Sequence, residues 1–494
     1  MNRTLKKFNY FILLIVIFIL ISFNKEEKPN IVLIMADDLG WTDLSYMGSN
    51  YYHTPNIDKL AKNGMTFYNA YASSANCAPS RATMMSGKYH TKHGIYTVSP
   101  SERGIDKTRK IIPTKNTENL DLDYFLIPEM LKSKGYINGH FGKWHLGSNG
   151  FYPKQNGFDV NVGGWEKGSP IGGYFSPYKN PKLENGPNGE YLTDRLASEA
   201  IKFIDKNKEN PFFLHLAFHS VHTPIQSKKE LKKIYDKING DKNHNRADYA
   251  GMIHSLDENI GRVINRIEKL GLSENTLIIF SSDNGGIRAI SNQYPLRAGK
   301  GSYYEGGIRV PLIFSWQGKI SKGTKSLERV SNIDFYPTIK NTIDYKDKNL
   351  KLDGVDLNPI FKGEKLEKRA LFFHFPIYLE AYDFQEDDGR DPLFRTRPGS
   401  VIIKDNWKLH HYFEDNELEL YNIKKDVSES ENLSEKNKEK TEELFNDLKK
   451  WRKDENAPIP SKKNSKYNQK FVDSLLFLIK NKKMTGSVKG LIRG

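Results

Sequence analysis

A single cysteine, Cys77, stands among 494 residues, so the chain can close no disulfide of its own and build no cysteine-based zinc cage. Long apolar runs are equally scarce. Tyr10–Phe23 (YFILLIVIFILISF) is 14 residues long, interrupted only by Ser22, and follows the basic start MNRTLKK. That is the n-region and h-region of an export signal, short for a bilayer span. Only Ser22 and Asn24 lie near the usual small-residue cleavage position, so residues 1–24 read as a signal peptide or an N-terminal anchor. No cysteine follows the run to carry a lipid, which argues against a bacterial lipoprotein, and no later segment is long and apolar enough to cross a membrane. Internal repeats are absent. An acidic surplus is absent too: the net charge is +15, but the last 34 residues hold nine Lys/Arg against one acid, Asp473. Much of the excess therefore sits in a tail and implies no nucleic-acid partner for the body.

What is present is alternation. NIVLIMA (Asn30–Ala36) is apolar nearly throughout, as a strand covered on both faces should be, and PFFLHLAF, TLIIFSS and VPLIFSW repeat the pattern. Between them NIDKLAKNG, LIPEMLKSKG, TDRLASEAIKFIDKN and ADYAGMIHSLDENIGRVINRIEKLG read as helices, three of them closed by glycine. The expectation is an α/β domain over residues 28–364, with a mixed, mainly parallel central sheet flanked by helices. After Glu364, ALFFHF, GSVIIKDNWKLHHYF and ELELYNI read as strands joined by turns, followed by the helix KNKEKTEELFNDLKKWRK. This predicts a smaller antiparallel α+β sub-domain over 365–457. Residues 458–494 form a basic tail, in which FVDSLLFLI is open between a short packed helix and a surface contact.

Chemistry gathers at the strand ends. MADDLGW puts Asp37 and Asp38 just past the first strand, where ligand sites of α/β sheets lie; adjacent carboxylates there repel unless a cation or proton intervenes. TLIIFSSDNGG puts Asp283 and Asn284 past another strand, so the paired donors are hard oxygens, suited to calcium or magnesium. Cys77 opens CAPSRATMMSGKY, a loop turning into a helix with Pro79 in its first turn and Gly87 near its end. A helix start offers free N–H groups to an anion, and Arg81 adds a forked donor for a tetrahedral oxyanion. Alone, Cys77 reads as an inert buried thiol; beside an anion site and a cation site it does not. GHFGKWHLG supplies Lys143 and His145, HLAFHSVHTP supplies His222, and PLRAGKGSYYEGGIRVP places Lys300 in a glycine-rich loop. Each in isolation is an ordinary solvated lysine or satisfied histidine; their joint presence is what counts.

These motifs, in this order, resemble the type I, formylglycine-dependent sulfatases of the alkaline-phosphatase-like superfamily, over roughly Lys28–Lys453. Cys77, Pro79, Ser80, Arg81 and Gly87 match the signature C-x-P-S-R-x-x-x-L-T-G, while Met85 and Ser86 replace its Leu and Thr, and Val221 replaces the usual proline before His222. The resemblance implies that Cys77 is converted to 3-oxoalanine (formylglycine) by a formylglycine-generating or anaerobic sulfatase-maturing enzyme. It implies calcium, less often magnesium, on Asp37, Asp38, Asp283, Asn284 and residue 77. It further implies residue 77 as nucleophile, Arg81 orienting it, Lys143 and Lys300 holding sulfate oxygens, His222 as general acid assisted by Lys300, and His145 as the base of the second step.

For substrate, the analogy points to a sulfated polysaccharide or its oligosaccharides, algal types such as ulvan or galactans ahead of host glycosaminoglycans. The stretches GGWEKGSPIGGYFSPYKNP and FHFPIYLEAYDFQEDDGRDPLFRTRP are expected at the rim, with His374, Arg395 and Arg397 as sugar-binding candidates. The expected location is outside the bacterial cytoplasm (periplasm, cell surface or medium), with membrane contact only through an uncleaved N-terminus. Two other readings stand beside this one: a phosphodiesterase or phosphonate hydrolase on the same scaffold, and a non-catalytic polyanion-binding protein. Which sugar, which sulfate position, endo or exo action and oligomeric state are not legible.

Overall fold

The computed structural model describes residues 28–487, so the predicted export segment lies outside the described residues. Eight strands form the main sheet: β1 (Asn30–Ala36), β2 (Met65–Tyr71), β3 (Ile137–Gly142), β4 (Val160–Val162), β5 (Phe212–Ala217), β6 (Thr276–Ser282), β7 (Leu312–Ser315) and β8 (Thr324–Ser331). Their order is β4-β3-β5-β1-β6-β7-β2-β8. All neighbours pair parallel except β7, which runs against both β6 and β2. The sheet is thus mixed and mainly parallel.

The apolar run of β1 has a simple cause. Val32 and Ile34 point into one core, shared with helices α2 (Leu192–Asn207) and α3 (Ala247–Lys269); Ile31, Leu33 and Met35 point into the other, shared with Cys77–Ser86 (α1) and Phe335–Thr342. A strand sandwiched between helical layers has no solvent face to make polar. Burial of each such side chain stabilises the fold by about 1.5–3 kcal/mol.

The second sheet is antiparallel, ordered β14-β13-β12-β9, from β9 (Ala370–Phe375), β12 (Gly399–Lys404), β13 (Trp407–Tyr412) and β14 (Leu418–Asn422). A short pair, β10 (Leu379–Glu380) and β11 (Phe394–Thr396), lies between β9 and β12 in sequence. One face of the sheet packs Ile402, Leu409 and Leu420 on Leu444, Leu448 and Trp451 of α4 (Lys438–Asp454). The other face puts Val401, Ile403 and Tyr412 on Tyr303, Tyr304 and Ile308 of the main body. At this seam Lys408 lies fully buried between Glu305 (3.1 Å) and Glu429 (3.0 Å), and Glu429 accepts the backbone N–H of Glu305. Removing one partner of such a cluster would leave a bare buried charge, so the seam is fixed in register.

The tail segment left open above is a packed helix, α5 (Gln469–Lys480). Asn468 caps its start by accepting the N–H of Phe471, and Val472, Leu475 and Ile479 are buried against Tyr378, Ala381, Phe384 and Phe394.

Three histidines are buried in this part of the chain: His90, whose Nε2 accepts the N–H of His374 at 2.8 Å, His374 itself, and His93, which is bonded to Thr83 Oγ1. Burial pushes His90 down to about 4 and holds His93 and His374 well below the ordinary 6.5. They stay neutral in the native chain while an unfolded chain takes up their protons below pH 6.5. Stability is therefore unaffected above that pH and falls as pH drops through it, each group costing up to about 1.4 kcal/mol per pH unit. Thermal melts from pH 7 to pH 4.5 should show a steep fall in Tm beginning near pH 6.5; a flat profile would contradict the neutral assignment.

Candidate active site

Four parallel strands, β3, β5, β1 and β6, deliver their carboxyl ends to one edge of the sheet. Ala36 and Ser282 pair in register, so Asp37–Asp38 and Asp283–Asn284 leave the sheet side by side. Asp38 sits in the left-handed region at φ 61°, a turn that aspartate tolerates better than most residues, and its N–H bonds Asp283 Oδ1 at 3.3 Å. From β3 come Lys143 and His145, and from β5 His219 and His222.

Cys77 enters from the opposite side as the first residue of α1, a helix buried along all ten residues and closed by Gly87 at φ 63°. Its Sγ lies 3.6 Å from Asp37 Oδ1 and 3.9 Å from Asp38 Oδ1, and the residue is 1% exposed. Burial pushes this thiol up to about 12. One turn on, Arg81 donates from Nε to Asp283 Oδ2 at 2.7 Å and from Nη1 to the Lys143 carbonyl at 3.0 Å.

The charges balance in threes. Lys143 Nζ lies 2.8 and 2.7 Å from the two oxygens of Asp37, Lys300 Nζ lies 2.7 Å from Asp38 Oδ2, and Arg81 holds Asp283. Burial pushes Asp37 up to about 7 against the pull of Lys143. Burial also works to raise Asp38, but Lys300 and His222 outweigh it and hold that carboxyl far below its usual range. Burial opposes the charge on both lysines, and Asp37 and Asp38 more than restore it. His222 Nδ1 is 2.6 Å from the Thr223 carbonyl, leaving Nε2 to face Asp38 Oδ2 at 3.6 Å. Burial, with Lys300 next, pushes His222 down to about 3, and burial with Lys143 holds His145 well below its usual range.

Whether these residues suit a hard cation is testable on their own bonding. Asp37, Asp38, Cys77 and His222 offer ligand atoms within 4.8 Å of one another. Asn284 Oδ1 is buried without a hydrogen-bond partner, as is Arg81 Nη2 beside Cys77. A buried carbonyl oxygen left unpaired amid carboxylates is costly unless a cation takes it, so the set fits an oxygen-loving divalent ion.

Above this floor opens a cleft of about 1170 Å³ that reaches Cys77, His145, His222 and Lys300. Gly168 lies against the His145 ring, where a Cβ would come within 2.3–2.7 Å of ring atoms. Both stretches expected at the rim contribute to the cleft, through Gly168–Gly173 and through Tyr382 and Asp383.

The three rim candidates, however, lie elsewhere. His374 is fully buried in β9, bonded to Ser400 Oγ at 2.8 Å and the Pro458 carbonyl at 2.9 Å. Arg397 is consumed by Asp391 and by Glu414 at 2.7 Å. Arg395, 3% exposed, sits behind the cleft: Nη1 donates to the Lys300 carbonyl at 2.9 Å, Nε to the Glu380 carbonyl at 2.8 Å, and its plane lies 3.4 Å from the Tyr382 ring centre. Gly301, at φ 89°, leaves the space Arg395 needs. The arginines that do line the cleft are Arg103 and Arg246, neither of which stands in a motif.

A profile of the sulfatase family matches residues 29–345, and one described as N-sulphoglucosamine sulphohydrolase, C-terminal, matches 299–456. A sulfatase of Formosa agariphila is 35% identical over 512 residues, covering 88% of this chain and 90% of the relative. N-acetylgalactosamine-6-sulfatase of Mus musculus is 31% identical over 387 residues, 72% of this chain and 70% of the relative. The crystal structure of Ps i-CgsB superposes with a TM-score of 0.71 at 33% identity, covering 86% of this chain and 92% of that one. A second, in complex with k-i-k-neocarrahexaose, superposes at 0.70 with 32% identity over the same shares. Fold and site thus define an alkaline-phosphatase-like hydrolase. More narrowly, the chain belongs to the sulfatase family and is a sulfuric ester hydrolase.

Arg395 tests how finely Lys300 is placed. Arg395→Ala should lower kcat on 4-nitrophenyl sulfate by roughly tenfold or more, measured at a temperature where the variant is still fully folded, because misplacing a group of the site by an ångström carries costs of that order. Unchanged kcat would show that the Lys300 loop holds its own position.

Proposed function

We propose that this protein hydrolyses sulfate esters on a sulfated carbohydrate, through a formylglycine at position 77 and a divalent cation. The observation that carries the proposal is the position of Cys77: first residue of a buried helix, at the floor of a cleft, within 4 Å of two strand-end aspartates. A thiol has no evident role among three carboxylates and three cations, whereas a hydrated aldehyde there would supply an oxygen nucleophile. Asp37, Asp38, Asp283, Asn284 and residue 77 would hold the cation, calcium by preference, and it would supply Lewis-acid polarisation.

The chain's own residues do the rest. Three carboxylates against Arg81, Lys143 and Lys300 leave the floor near neutral, so a divalent ion turns it positive and draws in an anionic ester. Arg81 aims the nucleophile with its unpaired Nη2, and Lys143 and Lys300 take the charge that grows on the sulfate oxygens. His222, fixed by Thr223 with Nε2 toward the site, protonates the leaving sugar alkoxide; the arriving sulfate's charge favours its protonated form. His145, neutral and facing the cleft, accepts the proton of the second step.

Among sulfated carbohydrates, galactans of the carrageenan kind lead. The likeness over most of both chains to Ps i-CgsB, one structure of which is in complex with k-i-k-neocarrahexaose, supports this, and so does an open cleft with two arginines and an aromatic ring at its wall. We place the enzyme outside the bacterial cytoplasm, after export by residues 1–24 and maturation of Cys77.

Peptide mass spectrometry on active enzyme should find residue 77 lighter than cysteine by the thiol-to-aldehyde exchange. An intact thiol in fully active protein, or Cys77→Ala releasing sulfate at the wild-type rate, would overturn the mechanism. Calcium at about 100 times its Kd should stabilise the fold by about 2.7 kcal/mol, read as a rise in Tm that Asp38→Asn or Asn284→Ala abolishes. Sulfate release from a panel of defined oligosaccharides decides the sugar, and faster turnover of aryl phosphate diesters than of aryl sulfates would favour the phosphodiesterase reading.

A further inference from the structure

The basic tail takes no part in the chemistry above, yet it is built into the fold. From Ser461 to Gly486 it carries Lys462, Lys463, Lys466, Lys470, Lys480, Lys482 and Lys483 against one acid, Asp473. All seven are exposed, and only Lys466 has a carboxylate partner, Asp106 at 2.8 Å, among the described residues. A run of unpaired like charges repels itself, so ordering it on the surface has a cost that an anionic ligand would remove.

Two further features give the patch direction. At the start of α5 lies a second cleft, about 550 Å³, lined by Phe413, Tyr467, Lys110, Lys463, Asn416 and Asn464. Aromatic faces, amides and ammonium groups together suit a sulfated sugar: apolar ring faces, hydroxyls and anionic groups in one ligand. At its other end α5 touches the wall of the catalytic cleft. Gln385 Nε2 donates to the Ile479 carbonyl at 3.1 Å and the Phe384 N–H to the Gly486 carbonyl at 2.9 Å, beside Tyr382 and Asp383 of the cleft. Twelve helical residues span about 18 Å, so the lysines form two groups several sugar units apart: Lys463, Lys466 and Lys470 at the end near the second cleft, and Lys480, Lys482 and Lys483 at the end near the catalytic cleft.

We propose that the C-terminal tail, with the cleft at Tyr467, is an accessory binding site for the sulfated polysaccharide chain. It holds the polymer along α5 while one sulfate enters the catalytic cleft. The proposal rests on the carbohydrate-sulfatase reading. An anionic membrane is the competing occupant of a basic helix, but the apolar stripe Val472, Leu475 and Ile479 is already buried in the protein. Phe477, 60% exposed, is then the one large apolar side chain of α5 left fully facing solvent, too little to anchor a helix in lipid.

The test uses the full-length matured enzyme with Lys470→Glu, Lys480→Glu, Lys482→Glu and Lys483→Glu combined, and a second variant with the same lysines changed to glutamine. High-molecular-mass carrageenan and 4-nitrophenyl sulfate are the probes. The expected result is a rise of about tenfold in KM or Kd for the polymer at low salt, with a flatter salt dependence, and 4-nitrophenyl sulfate turnover within about twofold of wild type. Tyr467→Ala should weaken polymer binding without touching the small substrate. Unchanged polymer affinity and salt dependence in the charge variants would overturn the proposal. So would equal losses on both substrates, which would make the tail a structural brace, or charge-dependent binding to phosphatidylglycerol vesicles without polymer binding. Charge-dependent polymer retention by a wild-type enzyme that releases no sulfate would uphold the accessory site and sink only the catalytic reading.

Discussion

The structure turns on the burial of three carboxylates side by side. Asp37, Asp38 and Asp283 are wholly removed from water at adjoining strand ends, where mutual repulsion alone would push them apart or protonate them. Arg81, Lys143 and Lys300 hold them, and each comes from a different element: the Cys77 helix, the turn after β3, and the glycine loop before β7. Closing this charge cluster therefore fixes three distant parts of the chain against one another. The cluster binds the fold together at the same point where it prepares the site.

The second sheet matters for the same reason. Lys408 between Glu305 and Glu429 pins the C-terminal sheet to the segment just after Lys300, and Arg395 grips the Lys300 carbonyl from β11. Burial, with Glu305 also acting, pushes Glu429 up to about 7 against the pull of Lys408. The smaller sub-domain thus reaches the Lys300 loop from behind, through Arg395 and the Lys408 cluster, and lends Tyr382 and Asp383 to the cleft wall.

Much of the site was legible because chemistry and periodicity coincide there. Asp37, Asp38, Asp283 and Asn284 each follow an apolar run that only a doubly covered strand explains, and Cys77 precedes a proline-started helix with a glycine end. Four of the eight main-sheet strands escaped notice: β2 (MTFYNAY) and β3 (INGHFG) mix polar residues or glycine into the run, VNV of β4 is short and TKSLERVS of β8 is polar, and the reversed direction of β7 left no mark in its composition. The rim was readable as a region but not by residue. His374, Arg395 and Arg397 have the chemical types of sugar ligands, yet β9 and β11 turn the first two inward to Ser400 and Lys300, where side-chain direction is set by strand register, and Arg397, just past β11, is drawn in by Asp391 and Glu414. Tyr382, Asp383 and Arg246 lie outside regular strands or at a helix edge, where no period marks which residue faces the cleft.

The complete burial of α1 also sets an order of events. Cys77 is 1% exposed beneath β6 and the Lys300 loop, and these segments emerge from the ribosome some two hundred residues after it. Another protein's active site could not close around Cys77 once they are in place. The enzymatic conversion of Cys77 proposed above would therefore belong to the interval when the N-terminal strands exist and the sheet is still unfinished.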